Sequence, residues 1–138
     1  DTQRFDSFLA VHGSPNNRNS YLFTWEDVLP HITEVEEQGC AFCFFGHTHS
    51  PGIFSRDGVY SVDDDGKVAL TDDKGFCVNP GSVGQPRDGD PRAAFGFLDT
   101  ETREFEQVRI NYPVKQAADK VAKANLPAFL AERLFLGR

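Results

Sequence analysis

Short apolar runs separated by Gly, Pro, Asn and Asp punctuate this chain, and most are only long enough for a strand. Phe8-Leu9-Ala10-Val11 is one such run. It ends at His12-Gly13, and Ser14 to Ser20 reads as loop. Thr24 is placed to cap a helix over Trp25 to Glu37, with Asp27 as its acidic first-turn partner. Pro30 is expected to break or bend that helix, and Gly39 to end it. Cys40 to Phe45 is a second apolar strand. Ile53-Phe54-Ser55 and Val59 to Val62 read as strands around the Arg56-Asp57-Gly58 turn. Val68-Ala69-Leu70 follows the Asp65-Gly66 turn, and Phe76-Cys77-Val78 runs into Asn79-Pro80-Gly81-Ser82. A Gly/Pro/Asp-rich loop covers Val83 to Pro91. Ala93 to Asp99 and Phe105 to Tyr112 then flank a turn and make a hairpin.

The tail changes period. Val114, Ala117, Ala118, Val121 and Ala122 lie on one stripe of a helix over Val114 to Asn125, and Pro127 suits the first turn of a last helix reaching Phe135. Many short strands with helices between and after them predict an α+β fold, an α/β-type sandwich rather than a barrel. The 138 residues suit one domain, with a sheet-rich part over 1–112 and helices over 113–138. No internal repeat or low-complexity tract interrupts it.

Composition narrows the class. Thirteen Phe residues supply most of a core, and no apolar run approaches a membrane span or a signal peptide. A net charge of −7 argues against a general nucleic-acid surface, because the phosphate backbone is repelled. Divalent cations would reverse that field locally for a phosphorylated ligand. Three Cys and no secretory signal favour reduced thiols and a cytoplasmic setting. Cys40 and Cys43 form a CxxC. They are expected to point to opposite faces of a buried strand, so they read as core residues rather than a zinc or redox pair.

Candidate chemistry gathers at strand ends. His47 and His49 sit two apart in Gly46-His47-Thr48-His49, just past a buried strand. If the backbone there is extended, both imidazoles face one side and reach one metal or two adjacent ones, with Gly46 making the turn. His12 also follows a strand and precedes a Gly, the placement in which open α/β sheets hold ligands. His31, in the helical connector, reads as an ordinary partly buried His. Ser61 to Gly66 with Asp72 resembles a calcium loop only loosely, and a solvated hairpin turn is the better reading.

His12-Gly13-Ser14-Pro15, Gly46-His47-Thr48-His49 and Asn79-Pro80-Gly81-Ser82, in that order, resemble the last motifs of the calcineurin-like metallophosphoesterases. The likeness spans essentially the whole chain. It implies part of a four-layer αββα sandwich and two divalent metal ions of the Mn, Fe, Zn or Ni class. A bridging hydroxide between them would attack phosphorus. By analogy His12 and His47 bind one metal and His49 the other. Asn79 and Ser82 would support these ligands from behind, and Arg87 would contact the substrate phosphate.

The family's earlier motifs, Asp-x-His, Gly-Asp-x-x-Asp and Gly-Asn-His, have no counterpart here. The expectation is therefore the C-terminal half of a bacterial-type phosphoesterase domain that needs its N-terminal half, or a second copy, to complete the centre. Its substrate would be a phosphorylated small molecule, nucleotide or phosphoprotein. The alternative is a non-catalytic binding or scaffold module with the same fold.

Overall fold

The computed structural model describes residues 3–5, 7–71 and 75–138. Two sheets and three helices account for its regular structure. Strands β1 (Gln3–Phe5), β2 (Phe8–Ala10), β3 (Phe42–Phe44), β4 (Gly52–Ser55), β5 (Gly58–Tyr60) and β7 (Phe76–Asn79) form one sheet in the order β1-β2-β3-β7-β4-β5. Strands β6 (Lys67–Ala69), β8 (Ala93–Leu98) and β9 (Glu104–Ile110) form an antiparallel second sheet with β9 in the middle. This is the mixed α+β sandwich expected from the sequence.

The centre of the large sheet is parallel. Ala10 registers with Phe44, and Phe44 with Val78, so β2, β3 and β7 end side by side. Backbone bonds continue past the strands, from Val11 N–H to the Phe44 carbonyl at 2.9 Å and from Phe45 N–H to the Val78 carbonyl at 2.9 Å. The loops that leave these ends therefore start from one edge.

Alternation along the strands divides the core. Leu9, Cys43 and Cys77 pack with Val28, Ile32 and Val35 of helix α1 (Trp25–Glu37). Phe42, Phe76 and Val78 face the other way, against Leu70 and Phe105 of the second sheet region. Phe76 and Phe105 are among the largest fully buried side chains, and truncating either to Ala costs about 3–5 kcal/mol.

Helix α1 begins where the sequence indicated. Thr24 accepts from Asp27 N–H, and the Asp27 carboxylate accepts from Thr24 N–H. Gly39 takes φ 70 just beyond the end. Pro30 does not break the helix, which runs through it. Its ring lies on the exposed side, where water can satisfy the carbonyl that loses a partner.

Cys40 also departs from expectation. It precedes β3 rather than lying in it, so strand alternation does not apply, and Cys40 and Cys43 bury into the same cluster. Both remain free, buried core thiols, as does Cys77. Helices α2 (Val114–Lys123) and α3 (Ala128–Leu136) close the chain, with Pro127 one position before α3. No helix among the described residues is long and apolar enough to cross a membrane.

Candidate metal centre

The ends of β2, β3 and β7 bring His12, the Gly46–His49 loop and Asn79 to one edge. Gly46 N–H donates to the His12 carbonyl at 2.9 Å, which joins the two His-bearing loops directly. Their rings meet: His12 Nε2 lies 2.8 Å from His47 Nδ1, with ring centroids 4.6 Å apart. That contact is a hydrogen-bond distance, and a tetrahedral ion holding both nitrogens at about 2.0–2.1 Å would set them about 3.4 Å apart.

The backbone of the loop is not extended, contrary to the sequence expectation. His47 has φ 66 and His49 has φ 59, both left-handed. Thr48 N–H donates to the Gly46 carbonyl at 2.7 Å, which puts His47 at the centre of a strained three-residue turn. The strain falls on the two His residues, not on Gly46, whose backbone is not left-handed. Left-handed non-Gly residues persist only where their surroundings enforce them.

Asn79 does the enforcing. It is buried, and its Nδ2 donates to Thr48 Oγ1 at 2.7 Å and to the Gly46 carbonyl at 3.3 Å. Its Oδ1 accepts from Gly81 N–H at 2.9 Å, which locks the following turn as well. Gly81 itself has φ +90, and a Cβ there would lie 2.6 Å from Ala94 Cβ. Only glycine fits that turn.

His49 is oriented from the same loop. Its Nδ1 donates to the Gln85 carbonyl at 2.7 Å, which leaves Nε2 as the lone-pair nitrogen. Ser82 Oγ accepts from Gln85 N–H at 3.0 Å and Gly84 N–H at 3.2 Å, so it shapes the backbone that holds His49. Arg87 N–H donates to the His49 carbonyl at 3.0 Å. The Arg87 guanidinium spends Nε and Nη2 on Gln85 Oε1 at 3.2 and 2.8 Å. Arg87 is thus tied to the site edge with part of its donor fork occupied.

Electrostatics favours neutral imidazole at His47. Desolvation holds its pKa below the ordinary value, followed by repulsion from His12, His49 and Arg87; the Asn19 carbonyl opposes this. A neutral ring with a free lone pair is the form that binds metal. The three imidazoles are donor types that a divalent ion accepts, with His12 and His47 in direct contact and His49 near enough to act on the charge of His47. Among the described residues, no three His, Cys, Asp or Glu side chains converge into a complete metal site.

The other candidates fall away from this edge. His31 faces Glu34 at 3.5 Å on α1. Asp63 Oδ1 accepts from Asp65 N–H at 3.0 Å and Lys67 N–H at 2.7 Å, which makes the acidic stretch a self-bonded turn. Asp72 lies outside the described residues.

Three further residues stand at the site without a strong local signal in the sequence. Thr48 anchors the His loop and Gln85 orients both His49 and Arg87. Tyr21 lies against His47 with centroids 4.0 Å apart and planes tilted by 33°. The apolar triplet Tyr21-Leu22-Phe23, stranded between a polar loop and a helix cap, was the available signal for the third.

Comparison with known proteins gives the family and the fold. Residues 2–103 match the calcineurin-like phosphoesterase superfamily domain. An uncharacterised protein of Methanocaldococcus jannaschii is 42% identical over 115 residues, covering 83% of this chain and 46% of that protein. The structure resembles a metallophosphoesterase from Sphaerobacter thermophilus with a TM-score of 0.89 at 26% identity, covering 99% of this chain and 58% of that one. A hypothetical protein from Pyrococcus horikoshii shares the fold, with a TM-score of 0.70 at 20% identity over 95% of this chain and 46% of its own. The chain spans about half the length of these relatives.

Proposed function

This chain belongs to the calcineurin-like phosphoesterase superfamily, and we propose on that premise that it supplies one side of a two-metal centre that hydrolyses a phosphate ester. The observation that carries the reading is the facing pair His12 Nε2 and His47 Nδ1 at the ends of adjacent parallel strands. His12 and His47 hold one ion and His49 the other, of the Mn, Fe, Zn or Ni class. The relatives are about twice as long, and we propose that the remaining ligands come from polypeptide outside this chain, the N-terminal half of the same domain.

Divalent ions held there would polarise the phosphoryl group and lower the pKa of a bound water. The residues of this chain prepare for that chemistry. Asn79, through Thr48, keeps the His loop in its left-handed form. The Gln85 carbonyl keeps the proton of His49 on Nδ1 and its Nε2 free. Arg87 offers its unoccupied guanidinium donors to the phosphate oxygens of the substrate. That substrate is a phosphorylated small molecule, nucleotide or phosphoprotein. Three buried free thiols suit a reducing, cytoplasmic setting.

The test is hydrolysis of chromogenic phosphate monoester and diester by the full-length protein, with chelator and with added Mn, Zn or Ni. Turnover that chelation abolishes, metal restores and His47→Ala removes is expected. Metal binding without turnover of either ester would move the protein to the rival reading, a non-catalytic binding module.

A further inference from the structure

Helix α3 reaches the loop that carries Gln85 and Arg87 through its cap. Gly89 N–H donates to the Gly137 carbonyl at 2.9 Å. Gly137 closes the helix in the left-handed conformation, with φ 62 and ψ 45, and its own N–H donates to the Arg133 carbonyl. It is buried, and a Cβ there would lie 2.7–2.8 Å from the backbone N, C and O of Asp90. Cap and loop therefore meet backbone to backbone, at a distance that glycine alone permits. Otherwise α3 adds little to the core. Among its described residues Leu134 alone is buried, while Phe129, Phe135 and Leu136 stand 57%, 51% and 55% exposed.

The contact falls just beyond Arg87. On the near side the loop is fixed by the buried Pro86 and by Arg87 N–H, which donates to the His49 carbonyl at 3.0 Å. On the far side Arg109 of β9 pairs with the Asp88 carboxylate, and Arg92 with Asp90. Those bonds hold side chains, which rotatable bonds separate from the main chain. The Gly137 carbonyl holds the main chain itself, at Gly89, which has φ 89 and open space where a side chain would be. A glycine in that setting regains wide freedom once its partner is gone. The Arg87 guanidinium lies near enough to His47 for its charge to act on that ring.

We propose that Gly137 is a positioning residue: through Gly89, the α3 cap sets where the Arg87 guanidinium meets the substrate phosphate. The inference rests on the phosphoesterase reading and deepens it, since it names what fixes the substrate contact. Arg87 has Nε and Nη2 tied to Gln85 Oε1, so its remaining donors reach a ligand in a direction that follows the main chain. A misplacement of about 1 Å in a positioning group can cost about 100-fold. A methyl group at Gly137 must move the cap or the loop, because no Cβ fits against Asp90.

The experiment uses the full-length, zinc-loaded protein with Gly137→Ala, Arg87→Ala and the double variant. It reads the affinity for inorganic phosphate, KM and kcat for a chromogenic phosphate ester, and hydrogen exchange at the Gly89 amide. Gly137→Ala is expected to speed Gly89 exchange, and to weaken phosphate binding and raise KM about tenfold with kcat little changed, the pattern of a lost binding contact. In the Arg87→Ala background it should do nothing more to either, because the group it positions is gone. A merely structural role would lower the active fraction alike in both backgrounds, and so kcat rather than KM. Unchanged phosphate affinity in Gly137→Ala, or an equal loss in the Arg87→Ala background, overturns the proposal. Leu134→Ala removes the buried anchor of α3 without touching the cap. It should show the same pattern more weakly, and it carries the test should Gly137→Ala not fold. A wild type that binds phosphate but hydrolyses no ester sinks the hydrolase reading and leaves the phosphate comparison to decide the role of Gly137. Ester hydrolysis with a Gly137→Ala protein indistinguishable from wild type does the reverse. A wild type that binds no phosphate overturns the proposal outright.

Discussion

Two polar turns in this chain carry clustered metal-ligand residue types, and the fold treats them oppositely. In the Asp63–Lys67 turn the Asp63 side chain serves the turn's own backbone. Asp63 accepts from Asp65 and Lys67, and the three acids lie in solvent. In the Gly46–His49 loop no ring is bonded to the loop's own backbone. The loop accepts left-handed strain at two His residues and is held by Asn79 and Gln85 from elsewhere in the chain. A turn that consumes its polar groups is complete. A turn that is held from outside, with its imidazoles turned to other loops and not to its own backbone, is the better candidate for binding.

The sharpest way to break that contrast is Asn79→Leu. It fills a similar volume but removes the acceptor of the part-buried Gly81 N–H and leaves the buried Thr48 hydroxyl only its 3.5 Å bond to the Gly46 carbonyl, at a cost of roughly 1–3 kcal/mol. Metal affinity should fall about 10–100-fold as the His loop loses its support. Chemical denaturation and zinc titration would read the two effects separately. Unchanged metal affinity would mean that the His loop holds its shape alone.

His47 allows a finer cut. His47→Gly relieves the positive φ, whereas His47→Ala retains it, so the Gly variant should be more stable by about 1 kcal/mol. Both should lose metal binding. Such a split, more stable yet unable to bind, marks strain held for function. Equal stability of the two variants would show that the turn is not strained.

Acid titration probes the far end of the loop that carries Arg87. Hydrogen bonding from Arg92 is the main cause that lowers Asp90 to about 2, below its ordinary 3.8. A depressed carboxylate adds stability above its ordinary pKa, and that contribution is lost as pH falls from about 4 towards about 2. Asp90→Asn should flatten the stability profile over that window. An unchanged slope would assign acid sensitivity to other carboxylates.

The smallest effect belongs to the acidic turn. Asp63→Ala should cost roughly 0.5–1 kcal/mol from two lost backbone bonds in solvent, with no change in metal binding. A weakened zinc affinity in that variant would erase the contrast between the two turns.

Local signals were legible in the sequence, and cross-chain ones were not. Thr24, Asp27 and Gly39 mark both ends of α1 because capping is a contact among near neighbours. His12 and His47 were placed at strand ends because apolar runs stop there. Strand β1 was missed, since its three residues are all exposed and carry no core pattern. The left-handed turn at His47 was also missed, because it depends on a bond from Asn79, 31 residues beyond Thr48. Tyr21 was passed over for the same reason: its partner, His47, is brought near by the sheet and not by the local sequence.

The central claim is that His12, His47 and His49 hold metal. It is tested most directly by the metal content of the full-length protein and its three single His→Ala variants after equilibration with zinc. The account predicts about two ions per wild-type chain and a deficit in every variant, with His12→Ala and His47→Ala losing the same ion. Full occupancy in the His12→Ala and His47→Ala proteins would contradict it.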